Sequence, residues 1–133
     1  MKRERRPERL RVLVVEDETL IALHLESLLE ELGHTVVGIA ARVDQALELA
    51  GREAVDLAIL DVNLDGQQSY PVADALAAHH VPFMFATGYD ATRLQAPYGD
   101  NLVLTKPYTS RDLQEAIAGI FVPSPGRRRP AAS

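Results

Sequence analysis

Three acids, a hydroxyl and an amine stand directly behind short apolar runs in this chain. Glu16 and Asp17 follow VLVV, Asp61 follows LAIL, Thr87 follows FMFA, and Lys106-Pro107 follow the run that ends at Leu104. If those runs are strands of one parallel sheet, the five groups converge beyond its carboxyl ends, where such sheets bind ligands. Glu16, Asp17 and Asp61 would bring three negative charges that repel strongly at a few ångströms. Lys106 would offset one of them. A divalent cation suits the remaining deficit, and an all-oxygen carboxylate set suits Mg²⁺. With a phosphoryl group's charge neutralised by the metal, the Asp61 carboxylate could attack phosphorus in line, while Thr87 and Lys106 donate hydrogen bonds to the phosphoryl oxygens. One acid at a strand end is commonly a helix cap or a loop residue. Four strand ends that all carry apt groups are much harder to assign to structure alone.

The elements that must position these groups are visible as patterns. Five β-branched-rich runs, Leu10–Val15, Thr35–Ala40, Leu57–Leu60, Pro82–Ala86 and Leu102–Leu104, alternate with helical periodicity. Runs without polar alternation are what strands covered on both faces look like. Ile21, Leu25, Leu28 and Leu32 form one helical stripe, with Glu26, Glu30 and Glu31 on the wet side and Gly33 placed to end the helix. Val43, Ala46, Leu47 and Ala50 form a second stripe, and Val72 with Leu76 a third. Leu113, Ile117 and Phe121 form the last, capped by Thr109 or Ser110. A fourth helix after Asp90 is interrupted early by Pro97 and Gly99. The pattern predicts an α/β, doubly wound, five-stranded parallel sheet of (βα)5 type, flavodoxin-like, with strand order 2-1-3-4-5.

At 133 residues the chain holds one domain. The absence of cysteine removes disulfides, thiolate catalysis and cysteine-ligated metal centres together. The net charge of −5 conceals a division. Residues 1–11 and 127–129 hold nine basic against two acidic side chains, a net of +7, while the stretch between holds five against seventeen, a net of −12. So acidic a core repels phosphate backbones, which argues against nucleic-acid binding by the core. No export signal or ~20-residue apolar span is visible, which fits a soluble cytoplasmic protein. The reading divides the chain into a disordered basic tail (1–9), a folded domain (10–122) and a disordered exit rich in Pro and Arg (123–133).

VLVVEDE, LAILDVNL, FATG and LTKPY, in that order and spacing, resemble the hallmark segments of the receiver domain of two-component response regulators. The likeness covers roughly Leu10 to Phe121. It implies that Asp61 is the phosphoacceptor and that Asp17 and Asp61 bind Mg²⁺ directly. Glu16 would act through water, and the Asn63 backbone carbonyl would be a further ligand. It also implies that Thr87 is the switch hydroxyl, that Lys106 pairs with the phosphate, and that the Lys106–Pro107 bond is cis. Two departures stand out. Most receivers carry Tyr or Phe where this chain has Val103, and Gly88 follows the switch threonine where alanine is usual. Both features look like the FAT-GUY subgroup, mostly output-free proteins of alphaproteobacteria. On that resemblance Tyr89 would supply the switch aromatic and Gly88 the backbone freedom it needs; a tyrosine merely covering the pocket rim is the other reading.

Other features carry less. His24 falls on the polar side of the first helix and His79-His80 end the third, positions that suit surface histidines. Asn63-Leu64-Asp65-Gly66 resembles part of a calcium loop but lacks the remaining ligands, so turn chemistry suffices. No Gly-rich nucleotide loop is present. The expected function is a phosphorylation switch fed by a sensor histidine kinase, HWE-type on the subgroup likeness, or by a small donor such as acetyl phosphate. Its output would be protein contacts, a phosphate sink or relay to a phosphotransfer protein, as a monomer or a weak homodimer through the fourth helix, fifth strand and fifth helix. A phosphatase of the haloacid dehalogenase type is the enzymatic alternative. It needs a second acid two residues past the nucleophile, where this chain has Asn63. A receiver fold serving as an unphosphorylated interaction module is the third reading.

Overall fold

The computed structural model describes residues 9–88, 94, 98 and 101–121. Five parallel strands form one sheet: β1 (Arg11–Val15), β2 (Thr35–Ala40), β3 (Leu57–Asp61), β6 (Phe83–Thr87) and β7 (Val103–Thr105), in the order β2-β1-β3-β6-β7. That is the expected 2-1-3-4-5 order of the flavodoxin-like sheet. The helices are α1 (Thr19–Glu31), α2 (Val43–Arg52), α3 (Tyr70–Ala78) and α4 (Ser110–Phe121). The helix expected after Asp90 and both expected tails fall outside the described residues, apart from Arg9 at the edge of the first tail and Leu94 and Tyr98 beyond Asp90.

Strand residues point alternately to the two faces, so each strand feeds two cores. Leu13, Val15, Ala58, Leu60, Phe83 and Phe85 face α2 and α3. Val12, Val14, Leu57, Ile59, Met84 and Ala86 face α1 and α4. All twelve are at most 2% exposed, and burying a large aliphatic or aromatic side chain of this kind is worth roughly 1.5–3 kcal/mol.

The helices sit slightly rotated from the sequence stripes. On α1 the buried residues are Ala22, Leu25 and Leu29, with Ile21, Leu28 and Leu32 at the margin. On α2, Leu47 is 38% exposed, contrary to its place in the expected stripe, and Leu49 packs inward against Gly38 instead. A Cβ at residue 38 would lie 3.0 Å from Leu49 Cδ1, so the glycine lets that leucine approach the sheet. Gly33, at φ +95°, ends α1 as expected. Thr109 Oγ1 accepts from Asp112 N (3.1 Å) and Asp112 Oδ2 accepts from Thr109 N (2.9 Å), a reciprocal cap on α4.

One element was not expected. Asn63–Leu64 (β4) and Gln67–Gln68 (β5) pair as an antiparallel ribbon directly after β3. Its turn residues Asp65 and Gly66 both have positive φ, +50° and +87°. This is the backbone of the tight Asp-Gly hairpin turn.

Candidate acidic cleft at the strand ends

β1 and β3 are neighbours in register, Val15 beside Leu60, so the residues that follow them emerge side by side. Oxygen atoms of Glu16, Asp17 and Asp61 come within 4.8 Å of one another. Lys106 reaches the same point from beyond β7. Its Nζ donates to Glu16 Oε1 at 2.8 Å and to Asp61 Oδ2 at 3.2 Å. The Lys106–Pro107 peptide is cis, and Lys106 N donates to the Thr87 carbonyl at 2.8 Å, fixing the lysine's backbone to the end of β6.

The electrostatics follow from burial and proximity. Glu16 is only 4% exposed. That desolvation pushes its pKa above the ordinary carboxylate range, with the Asp61 charge adding to the rise and the Lys106 hydrogen bond opposing it. Burial works against the Lys106 ammonium, but its hydrogen bond to Glu16 and the charge of Asp61 outweigh that, so its pKa lies above the ordinary lysine value. Lys106 is thus held charged between two acids. Asp17 has no cation partner among the described ion pairs, which leaves the trio with excess negative charge. Three clustered carboxylates around one ammonium fit a hard divalent cation.

The cleft above this cluster has a volume of ≈ 480 Å³ and is lined by Asp17, Asp61, Asn63, Thr87, Gly88 and Lys106, all expected from sequence. Glu16 lies beneath it, held by Lys106. Tyr89, the expected switch aromatic, lies outside the described residues. Sequence reasoning missed four other lining residues, Glu18, Ile21, Asp65 and Gly66. Two of them sit on the turn of the β4–β5 ribbon; the Asp-Gly pair was the available signal. Asn63 N lies 3.4 Å from Asp61 Oδ1, which ties the ribbon's first residue to the Asp61 carboxylate. Beside the cleft, Ile21, His24, Gly88, Lys106, Pro107 and Tyr108 enclose a second, more apolar hollow of ≈ 330 Å³. There burial pushes the Tyr108 phenol up to about 12.

Known proteins share this fold. Residues 12–118 match the response regulator receiver domain family. The Phyllosphere-induced regulator PhyR of Methylorubrum extorquens is 33% identical over 125 residues, covering 90% of this chain and 47% of that protein. The transcriptional regulatory protein PdtaR of Mycobacterium tuberculosis is 33% identical over 111 residues, covering 80% of this chain and 54% of that protein. The chain spans about half the length of these curated relatives. The solution structure of SdrG from Sphingomonas melonis Fr1 superposes with a TM-score of 0.78 at 45% identity, covering 85% of this chain and 97% of that one. With its sheet order, its strand-end acids and its lysine all in place, the chain belongs to the response regulator receiver domain family.

Proposed function

We propose that the protein is a phosphorylation switch that accepts a phosphoryl group on Asp61 from a histidine kinase or from a small donor such as acetyl phosphate. The observation that carries this reading is the Asp61 carboxylate, which shares Lys106 with Glu16 and lies within reach of Asp17 at the floor of an open cleft. An Asp61 oxygen attacks phosphorus as the bond to the donor's oxygen or imidazole nitrogen breaks, and the bonding pair leaves with acetate or with the imidazole. Lys106 then donates to the phosphoryl oxygens, and so does the hydroxyl of Thr87, a residue that lines the cleft. Asp17 and Asp61, with Glu16 through water and the Asn63 carbonyl, would hold Mg²⁺, which when bound neutralises the arriving phosphoryl charge.

The relatives support the same reading. SdrG has been solved in a BeF₃-activated conformation that superposes on this chain with a TM-score of 0.74 at 44% identity, and beryllofluoride imitates a carboxylate-bound phosphoryl group. PhyR of Bartonella quintana is an anti-anti-sigma factor; the present chain spans half of it, and its own output is proposed as protein contacts that phosphorylation of Asp61 remodels. The FAT-GUY likeness adds an HWE-type kinase as donor. No helix among the described residues is long and apolar enough to cross a membrane, and a cytoplasmic location is proposed. The folded unit is proposed to run over 10–122 between two disordered tails. Asn63 offers an amide where a dehalogenase-type phosphatase needs a carboxyl, so the phosphoenzyme should persist rather than turn over.

Incubation with acetyl phosphate and Mg²⁺ should add one phosphoryl group by intact mass spectrometry, and both Asp61→Asn and EDTA should abolish it. A phosphoryl adduct that survives in Asp61→Asn would overturn the assignment. Steady phosphate release from p-nitrophenyl phosphate would favour the phosphatase.

A further inference from the structure

We infer that the hydrogen bond between Tyr98 and Asp74 is a latch that favours the unphosphorylated arrangement of the cleft. The inference rests on the phosphoacceptor reading of Asp61. Tyr98 lies outside every strand and helix, on the connection between β6 and β7, yet it is 8% exposed. Its ring lies parallel to that of Tyr70 at 5.9 Å and 2°, and stands edge-on to Phe83 at 5.7 Å and to Phe85 at 5.8 Å. Tyr70 also meets Phe85 edge-on at 5.9 Å. The hydroxyl donates to Asp74 Oδ1 on α3. Burial and the Asp74 charge both hold the phenol protonated, well above its ordinary pKa.

The cluster touches the switch through β6. Phe83 and Phe85 belong to the strand whose last residue is Thr87, and Val103, small and half-buried, pairs with Phe85 in the ladder and packs against the same cluster. A shift of Thr87 toward a phosphoryl group on Asp61 moves the end of β6, two residues from Phe85. Close-packed rings answer such shifts by stepping between discrete packings. Apolar ring burial is non-directional and would accept several packings. The bond to a charged carboxylate is directional, so it selects this one. A contact made in one state biases the equilibrium toward that state. Tyr98 is therefore a positioning residue, acting on Thr87 through Phe85.

Beryllofluoride titration in the presence of Mg²⁺, followed by ¹⁹F NMR, tests the latch. Tyr98→Phe, which keeps the ring, and Asp74→Ala should each bind about five- to tenfold tighter than wild type. The double variant should bind no tighter than the single variants, because both remove one shared bond. Urea melts identify any variant that has lost its fold, and the other variant then carries the reading. Unchanged or weaker binding in a folded variant, or additive gains in the double variant, would overturn the latch. Failure of wild type to bind beryllofluoride at all would instead overturn the Asp61 assignment.

Discussion

Lys106 sets the logic of the site at the scale of single residues. It bridges Glu16 and Asp61, so it compensates the proposed phosphoacceptor and the buried acid beside it at once. Glu16, Asp17, Asp61, Thr87 and Lys106 were legible from sequence because each follows an apolar run directly, and strand ends in a parallel sheet share one edge. Tyr98 was not legible. It stands alone, flanked by Pro97 and Gly99, and only the fold brings it to Phe83 and Phe85. His34 was equally hidden. It is 7% exposed, its Nδ1 accepts from Leu10 N at 3.1 Å, and it thereby pins the entry to β1. Burial holds its pKa below the ordinary value, so the unfolded chain binds this proton more readily than the folded one. The stability it contributes is complete above the unfolded pKa of about 6.5 and is lost as pH falls below it. Urea midpoints should therefore drop between pH 7.5 and pH 5.5. The drop should be smaller in His34→Asn, which at pH 7.5 should already be about 1 kcal/mol less stable through its altered bond to Leu10.

Among the elements, the fully covered strands read clearly because continuous apolar runs have few other uses at that length. The β4–β5 ribbon did not, because two residues per strand carry no periodicity. Its Asp-Gly turn was recognised as a turn without the pairing it closes. On α1 the buried face, Ala22, Leu25 and Leu29, is rotated by part of a turn from the sequence stripe, and Leu20 and Leu23 lie outside both. Leu20 is 81% exposed and Leu23 49%, so two large apolar side chains face outward on the helix whose Ile21 lines the cleft. On the proposed reading of Asp61, an exposed apolar surface beside the cleft suits a protein donor carrying a phosphohistidine. Leu20→Glu with Leu23→Glu should slow transfer from a histidine kinase that phosphorylates the wild type by tenfold or more. Phosphorylation by acetyl phosphate, which needs no docking, should stay within about twofold. Equal losses with both donors would place these leucines in the folding of α1 rather than in docking.

At the scale of the whole molecule, the charge division visible in the sequence sets two opposing fields. Residues 1–11 and 127–129 carry +7 and the stretch between them −12, and Asp17, Glu18, Asp61 and Asp65 all line the cleft. Distance decides which field an anionic donor meets. The N-terminal tail joins the sheet at the start of β1, whose five residues put roughly 16 Å of strand between that point and the cleft. The Debye length at physiological salt is only about 8 Å. The local carboxylates should therefore dominate, and acetyl phosphate should be repelled on approach. At saturating Mg²⁺, the apparent second-order rate of Asp61 phosphorylation by acetyl phosphate should rise about two- to fivefold as salt goes from 20 to 300 mM. Removing residues 1–8 should leave that slope unchanged, whereas Glu18→Gln with Asp65→Asn should flatten it. A rate that falls with salt, or a slope that changes sign on removal of the tail, would mean that the basic end reaches the cleft and steers the donor in.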